Sequence, residues 1–61
     1  MKAARNLALE AIDAANNDGV CLSDATSAWD YAEGAVWDNG GDCEGLISRV
    51  ARIARSMARQ S

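Results

Sequence analysis

The segment Asp42 to Met57, DCEGLISRVARIARSM, decides how this chain folds. Its apolar residues Cys43, Leu46, Ile47, Val50, Ile53, Ala54 and Met57 recur at three and four, which lines them along one face of a helix. Arg49, Arg52, Arg55 and, just beyond, Arg59 fall on the opposite side. Asp42 can cap the start, because a carboxylate there accepts from N–H groups that have no partner within the helix. Glu44 suits the positive end of the helix dipole and the arginines suit the negative end. Periodicity, cap and charge order together predict a helix over residues 42–58.

Working outward, Asp38-Asn39-Gly40-Gly41 is a stop signal, and before it lies a second predicted helix over 24–37. Ser23 is its expected N-cap, with Asp24 in the first turn. Ala25, Ala28, Trp29, Ala32 and Val36 form its expected buried stripe, with Tyr31 on the flank. Asp30, Glu33 and Trp37, with Thr26 beside them, share a different face. Gly34 weakens this helix by roughly 1 kcal/mol relative to alanine. Val20-Cys21-Leu22 reads as an apolar connector tucked against the core. Upstream, residues 2–16 are predicted helical, with Ala4, Leu7, Ala8, Ala11, Ile12 and Ala15 on one face and Leu9 outside it. Asn16-Asn17-Asp18-Gly19 ends that helix, with Gly19 the natural left-handed residue. Its charges run against the dipole, with Lys2 and Arg5 at the positive end and Asp13 and Asp18 near the negative one. An interaction outside the helix is needed to favour that order. The expected fold is all-α, a small three-helix bundle forming a single domain over residues 1–61.

The composition fits. Of 61 residues 49% are hydrophobic, much of this alanine, and proline, histidine and phenylalanine are absent. Alanine without proline favours helices. A chain this short buries only about 60% of its unfolded surface, so association with a partner would stabilise it. Met1 to Asn17 is interrupted by Arg5, Asn6, Glu10 and Asp13, which does not read as a signal peptide. No apolar run approaches the ~20 residues that span a membrane. The chain is therefore expected to be soluble and cytoplasmic. Cys21 and Cys43 lie in different connections, separated in an up-down-up bundle by about 20 Å of helix at 1.5 Å per residue. Disulfides need Cα atoms within about 7 Å, so free thiols are expected.

Several chemistries fail on spacing. Read as an EF-hand loop from Asp38, the chain has Cys43 where glycine belongs and Arg49 where the bidentate glutamate belongs. The segment around Asn16, Asp18 and Gly19 has Ala14 in the first ligand position. Zinc would have only two cysteines and no histidine. Neither Cys21 nor Cys43 has a histidine to activate it, and Asp42 and Glu44 oppose a thiolate at Cys43. No catalytic residue, cofactor or metal is expected, and the chain does not read as an enzyme.

Charge is the informative feature. The formal net charge is −3, with nine acidic and six basic residues, but the signs are segregated. From Glu10 through Glu44 every ionised side chain is acidic: Glu10, Asp13, Asp18, Asp24, Asp30, Glu33, Asp38, Asp42 and Glu44. The basic residues lie at Lys2, Arg5 and from Arg49 onward. One explanation is internal compensation, with Arg52, Arg55 and Arg59 beside Asp13, Asp18 and Asp24, and with Lys2 and Arg5 beside Glu33, Asp38, Asp42 or Glu44. Exposed pairs of this kind contribute about 0–1 kcal/mol each.

The other explanation is an acidic surface aimed at a basic host protein or complex. Asp30, Glu33, Trp37 and Asp38 are then the candidate partner-binding residues, the indole anchoring an encounter that the carboxylates accelerate. In size, sign and lack of motif the chain resembles the very small acidic proteins that bacteriophages and mobile elements encode to disable host machinery, anti-CRISPR proteins among them. That resemblance implies an inhibitor that mimics nucleic acid and blocks a basic nucleic-acid-binding surface sterically and electrostatically, without chemistry. Direct nucleic-acid binding through Arg49, Arg52, Arg55 and Arg59 is the alternative. The first two helices also have a helix–turn–helix arrangement, but Asp24, Asp30 and Glu33 would repel phosphate. A homodimer or structural subunit, with Leu9, Trp37 and the small-residue faces as its seam, is the remaining class.

Overall fold

The computed structural model describes residues 3–41 and 44–60. They form helices α1 (Ala4–Asn17), α2 (Ala25–Asp38) and α3 (Glu44–Gln60), and each helix packs against both others. There is no strand among the described residues. The all-α three-helix architecture is as predicted, with every boundary one or two residues later than expected. Lys2, the expected cap Asp42 and the expected core residue Cys43 lie outside the described residues, as does the side chain of Glu44.

The helix ends explain the topology. Gly19 at φ 73° follows the Asp18 C-cap, the Val20 N–H donates to Ala15 O (2.8 Å), and the Gly19 N–H donates to Asn16 O (3.1 Å). This pair of bonds is a Schellman closure, which satisfies carbonyls that the helix itself leaves open. The same closure ends α2. Gly40 at φ 79° follows Asn39, and Gly41 and Gly40 donate to Val36 O (2.9 Å) and Trp37 O (3.0 Å). A Cβ on Gly41 would stand 3.0 Å from Val36 Cγ1 and 3.3 Å from Val36 O, a tight fit that Val36 would have to relax to admit.

Asp24, not Ser23, is the N-cap of α2. Its extended backbone (φ −101°, ψ 151°) aims the carboxylate at Ser27, whose N–H donates to Oδ1 and Oδ2 at 3.2 and 3.3 Å. The Ser27 hydroxyl also donates to Oδ2, at 3.1 Å. A serine three residues into the helix favours a cap with two acceptor oxygens, and only Asp24 provides them.

The core is built on alanine: Ala8, Ala11, Ala15, Ala28, Ala32, Ala35, Ala51 and Ala54 are buried, around Leu7, Leu22, Val36, Ile47 and Val50. Ile12, Val20, Leu46, Ile53 and Met57 pack against this cluster. The expected faces of α1 and α3 hold, with Ala51 buried in addition. On α2 the buried face is turned toward Ala35, and Ala25 is exposed. Trp29, expected in the core, is 38% exposed. Alanine faces let the helices approach too closely to admit an indole between them, so the ring sits at the margin. No aromatic side chain enters the core.

Candidate functional site

α1 and α2 run antiparallel and are tied at both ends by polar contacts. The Tyr31 hydroxyl donates to Asp18 Oδ2 at 2.6 Å. Asn39 Nδ2 donates to Ala35 O at 2.8 Å and to Glu10 Oε1 at 3.4 Å. Between the two ties runs a groove with a floor of small residues, among them Ala14 and Gly34. Glu10, Asp13, Asp30 and Asp38 line it, and among the described residues no lysine or arginine does. Among the described residues no three carboxylates, thiols or imidazoles stand close enough to hold a metal ion. The groove thus brings together carboxylates from α1 and α2.

The outer face of α2 adjoins it. Asp30, Glu33, Gly34 and Trp37 follow one another at helical spacing and all are exposed. Trp37 is 57% exposed, more than Leu9 (46%) or Trp29. Asp30 lies both on this face and at the rim of the groove, while Asp38 belongs to the groove alone. The sequence-predicted group is therefore split between two adjoining surfaces that share Asp30.

The arginines lie elsewhere. Arg49, Arg52 and Arg59 are exposed and Arg55 is half-buried, and among the described residues none of them has a carboxylate partner. Internal compensation, expected to put Arg52, Arg55 and Arg59 onto Asp13, Asp18 and Asp24, is not formed. Asp18 is held by Tyr31, Asp24 caps α2, and Asp13 faces the acidic groove. Arg5, expected near the acidic end of α2, instead lines a depression with Ile53, Ser56, Met57 and Gln60 of α3. Arg52, Arg55 and Arg59 share an open depression along α3. Arg52 and Arg55 also meet Trp29 and Ser48 in the groove between α2 and α3. Arg49 lines neither.

Two titratable groups are perturbed. The hydrogen bond to Asp18 raises the Tyr31 phenol above its usual value, with desolvation and the charges of Asp18 and Asp30 acting in the same direction. Cys21 is a free, exposed thiol. Its Sγ lies 3.4 Å from Ser23 Oγ, and hydrogen bonds from the Ser23 side chain and backbone lower its pKa by stabilising the thiolate.

Sequence reasoning did not find Trp29 at the surface, nor Glu10 and Asp13 across from Asp30 and Asp38. The second could have been read from the three-residue spacing of Glu10 and Asp13, which places both on one side of α1. No helix among the described residues is long and apolar enough to cross a membrane. No family model, curated protein or solved structure matches this chain.

Proposed function

We propose that the protein is a binding module that presents the outer face of α2 and the adjoining acidic groove to a basic surface of a host protein or complex. The observation that carries this reading is Trp37, 57% exposed on the same face as Asp30 and Glu33. An exposed indole amid carboxylates suits a cationic groove, where opposite charge speeds encounter and the ring fills a pocket. The groove behind it extends the acidic lining over Asp38, Glu10 and Asp13. A surface of this kind competes with the phosphates that a basic nucleic-acid-binding channel would otherwise hold. The action is then that of a small acidic inhibitor of the type encoded by bacteriophages and mobile elements.

Capture from a bacterial lysate tests it, with the protein immobilised as native chain, as Trp37→Ala, as Asp30→Lys/Glu33→Lys and as Arg49→Gln. The expected result is retention of a basic nucleic-acid-handling complex by the native chain and by Arg49→Gln, and its loss from the other two. Equal loss from all three variants, each still helical by circular dichroism, would overturn the reading.

A further inference from the structure

The acidic surface leaves the opposite side of the molecule without a role, and three observations converge there. Arg52, Arg55 and Arg59 succeed one another at three and four along α3, line one open depression, and have no carboxylate partner among the described residues. Trp29, 38% exposed, stands in the α2–α3 groove beside Arg52, Arg55 and Ser48. Arg55 is half-buried, and its buried Nε has no hydrogen-bond acceptor among the described residues. Packing therefore holds the stem of Arg55 in place while the fold leaves hydrogen-bonding capacity of its guanidinium unused. A buried donor without a partner costs about 1–3 kcal/mol, so the Nε–H of Arg55 is a cost to the fold.

We propose that this groove binds single-stranded nucleic acid, with a base stacked on Trp29 and successive phosphates held by Arg52, Arg55 and Arg59. The pairing of an exposed indole with a row of guanidinium groups is what a single strand needs, since its bases are free to stack and its phosphates require cations. A duplex keeps its bases inside and offers Trp29 nothing to stack on. Among the described residues neither basic depression has an acidic lining residue, whereas the groove between α1 and α2 is lined by four carboxylates, so a strand is favoured on the α3 side. This site shares no residue with the acidic surface assigned to a protein partner, and the two assignments stand or fall separately.

The test uses the full chain carrying Trp37→Phe, which leaves Trp29 as its only tryptophan. An oligothymidylate is titrated at low ionic strength while indole fluorescence is followed. Expected are saturable quenching of Trp29 and a logarithmic salt slope of about −2, from three phosphates at ~0.7 each. Arg55→Met keeps the packed stem and removes the orphan donor, so it folds at least as well, and it is expected to weaken binding about tenfold. Arg52→Gln is expected to do the same, while Asp30→Lys/Glu33→Lys leaves binding undiminished. Thymidine monophosphate at matching phosphate concentration is expected to bind far more weakly than the strand; equal binding would overturn the proposal, since a single nucleotide has no successive phosphates for the three arginines. Absence of quenching overturns the proposal, as does equal quenching by oligoglutamate or by a duplex of the same length. Self-association abolished by Arg52→Gln overturns it too, by placing a second copy of the chain in the groove.

Discussion

The Tyr31 hydroxyl gives Asp18 a partner at the end of α1, where the helix dipole alone disfavours a carboxylate. This contact accounts for Asp18, one member of the reversed charge order of α1. It also sets a pH dependence. A phenol whose pKa is raised by folding contributes stability that is fully present below its unfolded value of about 10 and is lost as pH rises through the folded value. Urea midpoints of the native chain and Tyr31→Phe should therefore differ by a constant amount between neutral pH and about 10, and converge above it. A difference that grows with alkalinity would contradict the contact. Glycines separate into two kinds at this scale. Gly19 and Gly40 hold positive φ, and alanine at either should cost about 1–2 kcal/mol. Gly34 is helical and exposed, and a Cβ there meets nothing within 4 Å. Gly34→Ala should accordingly stabilise the fold by about 0.5–1 kcal/mol, read as a rise in the urea midpoint.

Among the elements, α3 was the most legible in sequence and α2 the least. Leu46, Ile47, Val50, Ile53 and Ala54 contrast sharply with the arginines between them, so only one face of α3 can be buried. On α2 alanines occupy several faces, and hydropathy alone cannot choose among them. Trp29 then outweighs Ala35 in any sequence pattern, although Ala35 is the residue the close helix contact accepts. The stops at Gly19 and Gly40 were legible because a left-handed residue is a local requirement. The cap at Asp24 was not, since it depends on Ser27 supplying two donors. Caps also separate the helices energetically. Asp24→Ala should lower stability by about 0.5–2 kcal/mol. The N-cap of α1 is Ala3, in extended geometry (φ −65°, ψ 152°) and with no side-chain cap. Ala3→Ser should therefore raise stability, by about 1 kcal/mol on the same denaturant scale.

For the molecule as a whole, folding sharpens the charge segregation already present along the chain. One groove gathers Glu10, Asp13, Asp30 and Asp38, and the depressions along α3 gather Arg5 on one side and Arg52, Arg55 and Arg59 on the other. The sign of each stretch was legible in sequence. Which helix faces would meet was not, because it depends on how the alanine faces rotate α2 against its neighbours. With both charged surfaces open, light scattering should give the single-chain mass of 6.4 kDa across a dilution series. A doubled mass that falls on dilution would place a second copy on one of those surfaces. On the proposed function, α2 and its groove, rather than α3, meet the protein partner. Hydrogen exchange of the chain bound to the captured complex, compared with the free chain, tests this most directly. Slowed exchange is expected along α2 from Asp30 to Asp38 and on the flank of α1 around Glu10 and Asp13, with α3 unchanged. Protection confined to α3, with α2 exchanging as in the free chain, would contradict it.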